Sequence, residues 1–133
     1  MRFDSHIGKT DYCNREEGIV IIGSGSAVHN LRTLWQHADS PSPPFVALFD
    51  NEMTKVATNF TAEERNEKAC RLNQHQAFRL CHPTAEHLVP FHVALGAAGN
   101  DQGKKLLEDY FSTLSWSSFG FGLPDDIELP NYP

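Results

Sequence analysis

The stretch GIVIIGSGS at residues 18–26 constrains the fold more than any other part of the chain. Ile19, Val20, Ile21 and Ile22 are consecutive β-branched residues, which favour a pleated backbone. A continuous apolar run bounded by glycine reads as a strand covered on both faces, the kind buried inside an α/β sheet. Gly23 and Gly25 suit a tight turn after it, and Ser24 or Ser26 is a natural N-cap. The pattern therefore predicts a helix from about Ala27 to about His37. His29 then lies about one turn into that helix, near the carboxyl end of the strand, where open α/β sheets place their ligands. The turn does not qualify as a phosphate loop. Residue 28 is Val where the dinucleotide pattern needs Gly, and the Walker lysine is missing.

Further along, DSPSPPF at 39–45 is a proline-rich break. Residues 45–57 predict a helix with Phe45, Leu48, Phe49 and Met53 on one face. Thr61 with Glu64 three residues on has the capping-box pattern, opening a helix to about Gln74. A short helical turn is expected over 76–80. A further helix is expected from Pro83 or Thr84 to about Ala98, and residues 101–111 read as partly helical. In 112–122, Leu114 and Trp116, then Phe119 and Phe121 after a one-residue slip, predict a terminal strand with a bulge. The acidic, proline-rich residues 123–133 read as a loop or disordered tail. The expected class is α/β: one buried central strand, a terminal strand and several flanking helices. A buried strand needs neighbours on both sides, and this sequence offers one candidate at most. It reads as a single but incomplete domain over residues 1–133, with self-association or a partner providing the missing cover.

The net charge of −6 disfavours nucleic-acid and anionic-membrane partners. No apolar run approaches the roughly 18 residues of a membrane span, and MRFDSHIGKTDYC lacks the apolar core of a secretory signal. The expected compartment is the cytoplasm. Cys13, Cys70 and Cys81 share no C-x-x-C spacing and read as plain reduced thiols. In that compartment the sequon at Asn59–Thr61 is a chance match.

Seven histidines are many for this length: His6, His29, His37, His75, His82, His87 and His92. They hint at proton transfer near neutral pH or at a metal. His82, Glu86 and His87 do not form H-E-x-x-H, and no two of His82, His87 and His92 are four apart, so they make a weak metal motif on their own. His82, before Pro83, is read as free to swing independently. His92, within VPFHVALG, reads as a half-buried packing residue.

Together, GIVIIGSGSAVHNLR and HPTAEHLVPFHVALGAAG resemble the two late motifs of class III extradiol ring-cleavage dioxygenases of the subunit-B type. The similarity is strongest to the DOPA 4,5-dioxygenase branch. It extends over about residues 6–122, including the ending SSFGFG. The resemblance implies an enzyme that opens a catechol ring with O2 at a non-haem divalent metal, iron as Fe(2+) or zinc as Zn(2+). It implies that His29 is the acid/base residue and His87 a metal ligand, with Glu86 the second choice. An imidazole with a pKa near 6.5 suits the removal of catechol protons at neutral pH. Members of the family carry further ligand histidines in early motifs that this sequence does not contain, and His6 matches a later, non-ligand position. The chain therefore reads as the C-terminal portion of such a fold. The competing expectation is an inactive remnant serving as partner or regulatory subunit of a full-length relative.

Overall fold

The computed structural model describes residues 18–127. Its elements run β1 (Val28–His29), α1 (Pro44–Thr58), α2 (Ala62–Arg71), α3 (Phe78–Cys81), α4 (Val89–Ala97), β2 (Gly103–Leu107), β3 (Tyr110–Phe111), β4 (Leu114–Ser115) and β5 (Ser118–Phe121). Strands β1, β4 and β3 form one antiparallel sheet in that order, with Val28 opposite Ser115 and His29 opposite Leu114. Strands β2 and β5 pair separately, from Gly103 opposite Phe121 to Leu107 opposite Ser118, with an irregularity between Lys105 and Leu107. The mixed α/β class is as the sequence predicts.

Helix α1 organises the core. Pro44 at its first turn has no amide proton to lose there and holds a helical φ. Val46, Phe49, Met53 and Val56 repeat at three- and four-residue spacing and are fully buried. They pack against Val28, Leu72, Phe78, Leu88 and Leu95. Of the predicted face, Phe49 and Met53 are buried, Phe45 is half-buried and Leu48 is exposed. Helix α2 starts with the expected capping box, the Thr61 amide donating to Glu64 Oε2 at 3.3 Å. Buried Arg65 on α2 donates to the carbonyl oxygens of Gly99 and Asp101, the latter at 2.5 Å, fixing the end of α4 to the start of β2.

Asp50 lies on the same buried stripe of α1 and is fully buried. Its Oδ2 accepts from Lys105 Nζ at 2.8 Å and Tyr110 OH at 3.0 Å, and its Oδ1 from Ser115 Oγ at 2.7 Å. A buried carboxylate is tolerated when its oxygens are satisfied in this way. The arrangement ties α1 to β2, β3 and β4.

Several expectations are corrected. The run Ile19–Ile22 forms no strand; Val20 is 79% and Ile22 83% exposed. Its β preference meets no ladder partner among the described residues. The helix expected over 27–37 is instead strand β1 followed by a single 3-10 turn, Leu34–Gln36. Val28 gains full burial and a partner in β4, and the Asn30 side chain accepts from the Arg32 amide at 3.0 Å, a turn that competes with helix. Residues 101–111 are strands β2 and β3, because β5 and β4 offer ladders that outweigh the helical preference of KKLLE. The expected terminal strand divides into β4 and β5, which join different sheets, and the irregularity lies in β2. The helix expected from residue 83 or 84 begins only at Val89, although its end at Ala97 fits. Residues 123–127 lack helix or strand, as expected, and 128–133 lie outside the described residues, as do His6 and Cys13.

Candidate active site around His29 and His87

The site is built by two segments that the fold presses together. Residues 23–26 lie against the turn preceding α4 and the first turn of α4. A Cβ on Gly23 would stand 2.5 Å from the Pro90 carbonyl oxygen, and one on Gly25 2.7 Å from that of His87. Only glycine permits this approach. The Ser26 amide reaches His87 Nδ1 at 3.4 Å, a long hydrogen bond. Three residues on, β1 ends at His29, whose imidazole stacks on that of His87 with ring centroids 3.6 Å apart and planes inclined by 21°.

The half-buried His29 has its pKa lowered from the ordinary 6.5. Desolvation is the main cause and a second potential cation at His87 adds to it, while the charge of Glu86 opposes both. The ring is therefore predominantly neutral near pH 7, able to take up a proton. Glu86 is exposed and accepts from Thr84 Oγ1 at 2.5 Å, which lowers its pKa. His87 borders a cavity of about 680 Å³. Ile19–Ile22, Met53, Phe91 and Phe119 line it, while His29 is not part of that lining.

His82 departs from the sequence reading. It does not swing freely: it is fully buried, its Nε2 lies 2.9 Å from the Ala27 carbonyl oxygen, and Phe49 and Phe78 flank the ring. Burial pushes its pKa down to about 4. His92 is buried beside Phe91, as a packing residue would be, with its pKa likewise lowered by burial to about 4. Cys81 is a free, buried thiol, pushed up to about 12 by burial and by the nearby Asp50 charge, which keeps it protonated. Asp50 was missed by motif reasoning. Its signal is a carboxylate four residues after Val46, on the apolar stripe of α1.

The fit of these groups to a metal can be judged by their donors. His87 offers an imidazole nitrogen beside a second imidazole, with the Glu86 carboxylate adjacent in sequence. Ligation through Nε2 would place the ring proton on Nδ1, so the long Ser26 contact would have to open. No cluster of three His, Cys, Asp or Glu side chains with metal-binding geometry occurs among the described residues. A catalytic centre normally has three protein ligands. His87 thus fits one position of such a centre, and the described residues do not complete it.

These features coincide with a family-wide match. Residues 10–123 fit the family described as the catalytic LigB subunit of aromatic ring-opening dioxygenase, and the chain belongs to that family. The family's enzymes depend on a non-haem metal. Among curated relatives, the 4,5-DOPA dioxygenase extradiol of Beta vulgaris is 34% identical over 109 residues, which are 80% of this chain and 39% of that protein. The protein of the same name from Escherichia coli (strain K12) is 36% identical over 83 residues, 62% of this chain and 30% of its own length. A crystal structure of an uncharacterized protein from Escherichia coli K12 superposes with a TM-score of 0.73 at 29% identity, covering 86% of this chain and 48% of that one. The chain thus spans less than half the length of these relatives. No helix among the described residues is long and apolar enough to cross a membrane.

Proposed function

We propose that the chain is the C-terminal catalytic part of an extradiol dioxygenase that opens a catechol-type ring with O2. The observation that carries this reading is the His29–His87 stack, formed by the two motifs that resemble the family. His29, neutral and half-buried on the end of a strand, acts as the base that accepts a catechol hydroxyl proton and later returns it. His87 would hold the metal, with Glu86 as the alternative ligand. Fe(2+) held there would supply the electron transfer to O2 that side chains alone lack, and Zn(2+) would suit the same imidazole nitrogen. The stacking fixes the relative position of the two imidazoles, so the proton acceptor stands beside the ring that would bear the metal. The proposal includes a cytoplasmic location, as read from the sequence.

Oxygen uptake with DOPA, caffeate and protocatechuate tests it, using iron-loaded chain alone and mixed with a full-length relative. His29→Ala should lower kcat by about 10² to 10⁴, the usual share of acid–base catalysis, and leave metal content unchanged. Loss of metal in that variant would make His29 a ligand and overturn its role. The lone chain should lose its metal on dialysis, because the described residues offer fewer than three ligands. Tight one-to-one metal abolished by His87→Ala would indicate a complete site, such as one shared in a dimer.

A second reading has its own support. The exposed side chains of Ile19, Val20 and Ile22 suit an inactive remnant that docks on a full-length relative or on itself. Ring cleavage by the chain without any partner would exclude that reading.

A further inference from the structure

We propose that His82 is a positioning residue which staples the strand carrying His29 to the segment carrying His87. The inference rests on the reading of the His29–His87 pair as the active site. Strand β1 is two residues long and lies at the edge of its sheet, with only β4 beside it. Two ladder positions do not hold a strand in place, and polar groups on its open side need other partners. The end of α3 provides them. His82 Nε2 lies 2.9 Å from the Ala27 carbonyl oxygen, and Asn30 Nδ2 donates to the Leu80 carbonyl oxygen at 2.7 Å. The two bonds bracket Val28 and His29 from either side. Five residues beyond His82 the chain reaches His87, whose ring stacks on that of His29. One imidazole therefore sets the height of β1 against the turn that presents the second ring.

The chemistry assigns the proton. Only a neutral ring fits so buried a place, and a neutral imidazole has one N–H. The carbonyl can only accept, so the proton is on Nε2. Nδ1 is buried and has no hydrogen-bond partner among the described residues. Phenylalanine would keep an aromatic ring between Phe49 and Phe78 without desolvating that nitrogen. The donor to Ala27 is what histidine adds there.

Imidazole nitrogen–proton correlation spectra of the unaltered chain should show His82 as the Nε2–H tautomer; an Nδ1–H tautomer would overturn the proposal. His82→Phe keeps an aromatic ring, slightly larger, and removes the donor, whereas His82→Gln restores a donor near the same position. The Phe variant should lose the nuclear Overhauser contact between the His29 and His87 rings. It should also bind Zn(2+) alone about 10- to 100-fold more weakly, the usual cost of removing a group that orients a ligand. The Gln variant should recover both. A Phe variant that keeps the ring contact sinks the staple, and if it does not fold the tautomer decides. Zinc that fails to perturb His87 in the unaltered chain would count against the dioxygenase reading, while the ring contact still judges His82.

Discussion

At the scale of the residue, the buried histidines make stability depend on pH in a defined direction. His82 and His92 titrate near 4 when folded because burial disfavours the imidazolium, against about 6.5 in the unfolded chain. Above pH 6.5 both states are neutral and these two residues leave stability constant. Between 6.5 and 4 the unfolded chain binds protons that the folded chain refuses. Stability should then fall by about 1.4 kcal/mol per histidine for each pH unit, levelling near pH 4. His29, also lowered, acts in the same sense. The urea midpoint should therefore be lower at pH 5 than at pH 7, in a range where most carboxylates remain ionised. Equal midpoints would mean that the rings are hydrated in solution. The pair His29 and His87 was legible because each sits in a motif of recognisable pattern. The place of His82 was not, because its surroundings depend on Phe49 and on the Ala27 carbonyl, which local spacing does not bring to it.

Among the elements, close approach matters more than propensity. Gly25 has no room for a methyl group, since a Cβ would meet the His87 carbonyl oxygen at 2.7 Å and Pro90 Cγ at 3.2 Å. Gly25→Ala should destabilise the fold by about 1–3 kcal/mol, as overpacking does, and part the turn from the segment that holds His87. Urea denaturation and the His29–His87 ring contact measure the two effects; an unchanged midpoint would refute the packing. Helices α1 and α2 were readable because their signals are local: the apolar stripe of Val46, Phe49 and Met53, and the Thr61–Glu64 cap. Strands β1 to β3 were not, and β4 was legible as strand but not in its pairing. Val28 pairs with Ser115 and Lys105 with Phe119, and no window of neighbouring residues contains both members of either pair. The glycines at 23 and 25 mark a tight approach, as their pattern suggests, but the segment after them is governed by β4 rather than by the N-capping serines.

For the whole molecule, among the described residues, a marked departure from an ordinary soluble surface is the run Ile19–Ile22, which lines the cavity on one side and within which Val20 and Ile22 are the most exposed. Its apolar side chains, and a backbone with no ladder partner among the described residues, are a template for another chain. The purified chain should self-associate with rising concentration and bind hydrophobic dye. Val20→Lys with Ile22→Lys should suppress both without lowering the melting temperature. Sedimentation showing a monomer at every concentration, with no dye binding, would contradict this. The Asp50 cluster bears on when such a chain can become a folded one. Its donors Lys105, Tyr110 and Ser115 follow it by 55, 60 and 65 residues. During synthesis helix α1 leaves the ribosome long before any of them. Until Ser115 emerges, α1 cannot bury its apolar stripe without stranding a carboxylate, so the growing polypeptide must keep Asp50 in water. Folding of this core is therefore deferred until residue 115 has been made. A pause or break before codon 115 would release a product dependent on chaperones, whatever the quality of its helices.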